Sequence, residues 1–216
     1  PFDLLINLAE NDTWAIKFCA LMSKSKFKVG KFQENELVYL FVVSENLSAF
    51  PFEIRWKLIE EGISHLKNVK MLATGPYIVS VAIFPNYFLK NESWNLVSQK
   101  QAEIDVKIFT DYIAPILNIK KRYIGTEKYC QTTAAYNTAM LNILPEYGIK
   151  VIEYERISAE INNKNSFVSA SKVREAIKHH KLNEVLSTLP ESTKKFLLSE
   201  DSAIIRQKII NSNDRH

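Results

Sequence analysis

Two serines and an arginine have the types and spacing for chemistry on an anion. In NSFVSASKVREAIKHH, running from Asn165 to His180, Ser169 and Ser171 stand just before a stretch that reads as helix, and Arg174 lies one turn beyond the second serine. A helix start leaves about four backbone N–H groups without intrahelical partners and carries roughly half a positive charge, so anions collect there. Ser171 and Arg174 are three apart and share one helical face, where a guanidinium fork and a hydroxyl can grip phosphate oxygens together. Capping a helix is the commonest job of Ser at such a place. Local spacing leaves both readings open.

A second group is Gly125-Thr126-Glu127. It falls where a short strand, Lys121 to Ile124, is predicted to end, and ligands of parallel sheets sit at the carboxyl ends of the strands. Gly125 lets backbone approach a ligand, while Thr126 and Glu127 offer a hydroxyl and a carboxylate to ribose or base. A polar turn between strand and helix is the plainer alternative.

The elements that must hold these groups alternate along the chain. Leu37 to Val43 is β-branched and aromatic without polar alternation, as in a parallel strand covered on both faces. After Pro51 the apolar residues Ile54, Leu58, Ile59, Ile63 and Leu66 keep helical spacing. Val69 to Leu72 and Tyr77 to Phe84 are further strand candidates, separated by a Gly75-Pro76 turn. From Ala102 a long amphipathic helix reaches Leu117 through Val106, Phe109, Ile113 and Ile116. Thr132 to Leu144 reads as helix stopped near Pro145 and Gly148, and Val151 to Ile157 as strand. Three short helices follow, from Ser171, from Leu182 to Leu189, and after Pro190. Such alternation predicts an α/β domain with a mainly parallel sheet. With five glycines and neither GxGxxG nor GxxxxGK[ST], no dinucleotide fingerprint or P-loop is present.

Composition narrows the class. The chain has 216 residues, 46% of them hydrophobic, enough to bury the core of one medium-sized domain. Lys and Arg exceed Asp and Glu by 28 to 24, too small a surplus to imply a nucleic-acid partner. Leu37 to Val43, the longest apolar run near the front, is far shorter than the ~20 residues of a membrane span. Cys19 and Cys130 lie in no metal-ligand or CxxC spacing and read as reduced thiols of a cytoplasmic protein. Residues 1 to 35 form an atypical N-terminal segment, truncated or disrupted, with a basic run Lys17, Lys24, Lys26, Lys28, Lys31 that reads as a solvated face. Residues 36 to 200 form the principal domain and residues 201 to 216 a C-terminal tail. The opening Pro1, with no initiator Met or signal pattern, reads as part of something longer.

Several blocks together resemble one family. Phe84-Pro-Asn-Tyr-Phe-Leu-Lys90 resembles the FPxYFLK segment of the citrate lyase ligases, and LFVVSENLSAFPFEIR, Leu40 to Arg55, is similar to their LFVV-E-(S)xFP(F/Y)xxR block. APILNIKKRYIGTEKYCQTTAAYN, Ala114 to Asn137, follows their APxLxIxxRxxGTExxCxxTxxYN block without a gap, and Ser169 to Arg174 is similar to SASxVR. SxSxxR alone is shared by many nucleotidyltransferases; FPxYFLK with GTExxC is specific.

The resemblance implies a Rossmann-like, mainly parallel sheet of the HIGH-superfamily nucleotidyltransferase type, with helices on both faces and a short C-terminal helical region. It implies ATP with Mg²⁺, activation of acetate as acetyl-adenylate with release of pyrophosphate, and transfer of the acetyl group to the prosthetic thiol of the citrate lyase acyl carrier subunit. By position, Ser169, Ser171 and Arg174 would hold the ATP phosphates, Gly125, Thr126 and Glu127 would line the nucleotide site, and Arg55 is a further anion candidate. Tyr87 and Lys90 are candidates for the acetate or carrier side. With the resemblance added, phosphate binding overtakes simple capping at the serines. Neither nucleic acid, membrane nor structural metal is expected.

One motif of the superfamily is missing. Its (H/T)xGH sequence, whose histidines stabilise charge on the α-phosphate, has no counterpart: only His65, His179, His180 and His216 occur, and none follows a glycine. Phe27-Lys-Val-Gly30-Lys31 imitates it faintly, and no counterpart of the first strand or acetyltransferase-like region usual in the family is expected within these 216 residues. Losing one preorganised donor costs on the order of 10² to 10³ in rate. Two alternatives therefore stand beside the ligase: a nucleotide- or carrier-binding remnant without turnover, and another small-molecule adenylyltransferase.

Overall fold

The computed structural model describes residues 37–88, 96–127, 130–155, 158–161, 164–167 and 169–212. The segment 1–35, Cys19 and Lys90 lie outside them. Two parallel strand pairs carry the α/β architecture. Strand β1 (Val38–Val42) leads into helix α1 (Phe52–Ile63) and returns as β2 (Val69–Ala73), with Val38 opposite Val69 and Val42 opposite Ala73. Strand β3 (Lys121–Gly125) leads into α4 (Gln131–Ile143) and returns as β4 (Lys150–Tyr154), with Lys121 opposite Lys150.

Between the pairs lie a single helical turn, α2 (Pro85–Phe88), and α3 (Leu96–Ile108), which runs on into a wider π-turn, Phe109–Ile113. Beyond β4 an antiparallel hairpin, β5 (Ser158–Ile161) with β6 (Lys164–Phe167), precedes α5 (Ala170–Lys178), α6 (Glu191–Leu198) and α7 (Ala203–Asn211). Each β–α–β passage is long enough for the crossover that parallel pairing requires. Among the described residues the strands form three separate two-stranded sheets.

The buried residues explain why these segments choose their forms. Val38, Leu40 and Val42 share one face of β1 and are buried, each contributing roughly 1.5 to 3 kcal/mol, while Tyr39 and Phe41 on the other face are half-buried. In β3 all residues from Arg122 to Gly125 are buried, whereas β2 and β4 retain exposed positions. Leu58, Ile59 and Ile63 bury the core-facing stripe of α1. Thr133, Tyr136, Asn137 and Met140 do the same for α4, which packs on α3. Gly148, at φ 71°, ends the short 3-10 turn after α4, a conformation that glycine adopts without Cβ strain.

Three sequence expectations need correction. Tyr77 to Phe84 is a chain of turns, not a strand. Ile78, Val79 and Ser80 are buried in succession, impossible for a strand with one open face, and Val79 stands at φ 47°, a costly conformation for a β-branched residue. Polar bonds hold it there: Val79 N–H donates to Asp105 Oδ1, Ser80 Oγ to the Pro76 carbonyl, and Val81 N–H to Glu45 Oε1. Second, Leu182 to Leu189 is two 3-10 turns, Leu182–Glu184 and Leu186–Thr188, not one helix. Third, the long helix starts at Leu96 and widens at Phe109, leaving Ile116 83% exposed. The stretch given as a tail contains α7, whose Ile205 and Ile209 are buried and which packs on α5.

A buried polar knot ties these layers. Asp105, fully buried on α3, accepts from the Val79 amide and from the Tyr136 hydroxyl of α4. Arg122 of β3 lies over the Phe109 ring at 4.2 Å and reaches the Tyr136 oxygen at 3.4 Å. Burial pushes the Asp105 carboxyl up from the ordinary range, against the opposing pull of Tyr136, the Val79 amide and Arg122. A carboxyl raised in the native state keeps its proton where the unfolded chain has lost it, so stability falls as pH rises from about 4 toward the folded pKa. Asp105→Asn retains an acceptor for Val79 and supplies a donor to Tyr136. It is expected to flatten that fall, read as urea midpoints between about pH 4 and pH 8. An unchanged slope would assign the dependence to another group.

Candidate nucleotide site

Helix α5 opens where the spacing of Ser169, Ser171 and Arg174 predicts. Ser169 is the N-cap: its backbone is extended, and its Oγ accepts from the Lys172 amide at 3.3 Å. Ser171 lies exposed in the first turn, and its Oγ accepts from Arg174 Nη2 at 3.1 Å. The two serines thus divide the tasks weighed above: Ser169 shapes the turn, while Ser171 pairs with the guanidinium on its outer side. Burial lowers the Arg174 pKa to about 10. The side chain is still cationic at neutral pH, so a charge set in partly desolvated surroundings faces a hydroxyl at a helix start. Val173, Ala176 and Ile177 bury the other face of α5 and fix its orientation.

Gly125 ends β3, and Thr126 continues the ladder for one residue, donating its N–H to the Tyr154 carbonyl of β4 at 2.8 Å. Glu127 turns back on the chain, and its Oε1 accepts from the Cys130 amide at 2.8 Å, at the N-cap of α4. A carboxylate there complements the helix dipole. Asn137, one face of α4 further on, donates from Nδ2 to the Gly125 carbonyl at 2.8 Å. The turn 125–127 is therefore held at each residue.

Arg55 sits elsewhere than among open anion ligands. It is 1% exposed, and its Nε, Nη1 and Nη2 donate to the carbonyls of Phe50, Val43 and Glu45 at 3.0, 2.9 and 2.6 Å. Those carbonyls belong to the loop after β1, so the guanidinium braces that loop from within the core. Burial lowers its pKa to about 10. Asn46 Oδ1 accepts from the Phe52 amide at the start of α1, and Ser44 exchanges bonds with Thr74 and Gly75 after β2. The loops at the carboxyl ends of β1 and β2 are thereby joined.

Tyr87 is 3% exposed and packs in an aromatic cluster with Phe84, Phe88 and Tyr136, their ring centroids 5.3, 5.3 and 6.4 Å from its own. Its ring forms part of the core wall, and Asn86 beside it bonds Ser98 and Gln101 of α3. The structure therefore brings the predicted residues together as two groups, Ser169 with Ser171 and Arg174, and Gly125 with Thr126 and Glu127, and places Arg55 and Tyr87 in the core. His65, His179 and His180 are exposed. Among the described residues no group of three His, Cys, Asp or Glu is set to hold a metal ion, and no helix is long and apolar enough to cross a membrane.

Asp105 and Asn137 were not singled out by sequence. Both are polar residues on the buried stripe of a helix, Asp105 beside Ala102 and Val106 and Asn137 beside Tyr136 and Met140. A polar side chain at a core-facing helical position is the signal that could have found them.

Fold and site together define an α/β protein with polar groups concentrated at a strand end and at a helix start. The chain belongs to the citrate lyase ligase family: residues 26–197 match the family model described as the citrate lyase ligase C-terminal domain. It is 36% identical over 165 residues to the [citrate [pro-3S]-lyase] ligase of Klebsiella pneumoniae, covering 74% of this chain and 46% of that protein. The ligase of Escherichia coli (strain K12) is 33% identical over 177 residues, covering 79% and 50%, and that of Haemophilus influenzae is 35% identical over 170 residues, covering 76% and 49%. The chain spans about half the length of the curated relatives it matches. No solved structure matches it significantly.

Proposed function

We propose that this chain is the nucleotide-handling part of a citrate lyase ligase, cytoplasmic and of Rossmann-like, HIGH-superfamily type, that joins acetate to the prosthetic thiol of the citrate lyase acyl carrier subunit. In the first step an acetate oxygen attacks the α-phosphorus of ATP, the bond to the β-phosphate oxygen breaks, and acetyl-adenylate and pyrophosphate form. In the second the carrier thiol attacks the acetyl carbonyl, loses its proton and releases AMP. The observation that carries the reading is the exposed Ser171 hydroxyl paired with Arg174 on the first turn of α5.

The N–H groups of that turn, the Ser171 hydroxyl and the Arg174 fork are the proposed seat of the polyphosphate, with Ser169 capping the turn beneath. Mg²⁺ accompanies ATP through its phosphates, as a hard cation that retains its waters prefers. Gly125, Thr126 and Glu127 are assigned to the nucleoside, and Arg55 acts by bracing the loop after β1. Tyr87 stiffens the wall behind the acetate and carrier side, to which Lys90 is also assigned.

Release of pyrophosphate from ATP that depends on acetate, followed by acetylation of the carrier thiol seen as one added acetyl group by mass, is the expected result. The rival reading is a chain that binds nucleotide or carrier without turnover. ATP binding with no acetate-dependent pyrophosphate would establish that rival. Pyrophosphate release that requires a phosphorylated cosubstrate instead of acetate would establish a different adenylyltransferase.

A further inference from the structure

The side-chain amide of Asn137 reaches the end of β3 from inside the protein. Asn137 is 4% exposed on the buried stripe of α4, and its Nδ2 donates to the Gly125 carbonyl at 2.8 Å. Even-numbered residues of β3 and its flanks engage β4: the Lys120 carbonyl accepts from Lys150, and the Thr126 amide donates to Tyr154. By strand alternation the Gly125 carbonyl turns the opposite way, out of the β3–β4 ladder. Asn137 supplies the donor it receives there. Its own Oδ1 is sealed from solvent and meets no hydrogen-bond partner among the described residues, an arrangement that is costly for a buried amide. The core holds an amide at this position although only its donor is engaged, while Ala139 and Met140 close by on the same helix are apolar.

We infer that Asn137 is a positioning residue for nucleotide binding: by fixing the Gly125 carbonyl it sets the turn from which Thr126 and Glu127 meet the nucleoside. Each residue of the turn has an anchor. Thr126 is tied by its amide to β4, Glu127 by its carboxylate to the start of α4, and Gly125 by Asn137. The first two anchors are formed by the turn's own atoms with backbone, so they follow wherever the strand and helix lead. The third comes from a side chain and can be removed without altering the sequence of the turn. Without it that planar peptide keeps only the Thr126 N–H bond to Tyr154 and can tilt about this one contact, so the Thr126 and Glu127 side chains lose their common direction. The inference rests on the assignment of this turn to the nucleoside.

Asn137→Ala tests it through two readouts, MgATP affinity by calorimetry and hydrogen exchange at the Thr126 amide. The variant is expected to bind MgATP about tenfold more weakly, the worth of one well-placed hydrogen bond. Exchange at Thr126 should quicken while the α4 and β1 amides exchange as in the parent. Asn137→Gln, which restores an amide donor on a longer arm, should recover part of the affinity. Unchanged affinity in Asn137→Ala beside a parent chain that binds MgATP would overturn the inference and leave the nucleotide reading standing. A parent chain that does not bind MgATP would overturn both. If Asn137→Ala does not fold, the similarly sized Asn137→Leu, which removes the donor, is judged by the same criteria; if that too fails to fold, Asn137 serves the core and the inference fails.

Discussion

Arg174→Ala is expected to weaken MgATP binding by about 10- to 100-fold, the worth of a charge-assisted hydrogen bond or two, while shifting the melting temperature by no more than about 3 °C. The asymmetry follows from where the side chain lies. Its guanidinium meets the exposed Ser171 hydroxyl, whereas the core contacts of α5 are made by Val173, Ala176 and Ile177. Removing it therefore subtracts charge from the helix start and leaves those apolar contacts in place. Ser169→Ala provides the contrast, because it deletes the cap on the Lys172 amide. That change should cost about 1 kcal/mol of stability. Calorimetric titration with MgATP, paired with thermal unfolding, separates the two. A large stability loss with unchanged ATP affinity in Arg174→Ala would mean that the arginine serves the fold alone.

For Arg55→Met the expectation is reversed: a loss of about 3 kcal/mol or more in stability. Three carbonyls, those of Val43, Glu45 and Phe50, accept from this one guanidinium in a site 1% exposed. Methionine fills much of the volume and satisfies none of them. Each carbonyl must then find water or remain unpaired, and the loop after β1 loosens with them. Urea unfolding measures the loss as a shift in midpoint. A change below about 1 kcal/mol would show that the loop keeps its shape without the brace.

The pKa of Arg55, lowered to about 10, gives its burial penalty a definite pH range. A base depressed in the native state is charged in both states at neutral pH, so the penalty is present there. It is relieved only as pH rises through about 10, where the native state sheds its proton before the unfolded chain does. Arg55 therefore adds no slope to the stability profile near neutral pH, and the fall that begins above about pH 4 belongs to Asp105, whose pKa is raised.

Much of this architecture is legible in the sequence because its signals are local and mutually consistent. Leu37 to Val43 is apolar at every position and becomes β1; the spacing of Leu58, Ile59 and Ile63 becomes the buried stripe of α1. Pro145 and Gly148 mark the end of α4 through a ring that lacks an N–H and a residue that accepts positive φ. Tyr77 to Phe84 misleads for the opposite reason. Its apolar content is that of a strand, but its backbone is set by partners distant in sequence, Asp105 for Val79 and Glu45 for Val81. No pattern within eight residues encodes those bonds.

The candidate site divides along the same line. Ser171 and Arg174 are three apart on one helix, so their pairing is a matter of helical geometry and can be read from spacing. Arg55 has the same chemistry as Arg174, yet its donors go to carbonyls up to 12 positions earlier in the chain. Only the fold of the loop 43–50 separates a brace from an anion ligand. Tyr87 is similar: its motif marks it, but packing against Phe84 and Tyr136 decides that its ring is buried. Asn137 stands inside a quoted block, and its bond to Gly125 depends on how α4 crosses the end of β3.

The most direct test of the central claim is a titration of the isotope-labelled chain with MgATP, following backbone amide shifts residue by residue. The account predicts that the largest changes fall on Ala170, Ser171 and Lys172 in the first turn of α5, with a second group at Thr126 and Glu127. Saturable binding that leaves the α5 turn unmoved and shifts amides elsewhere would contradict it.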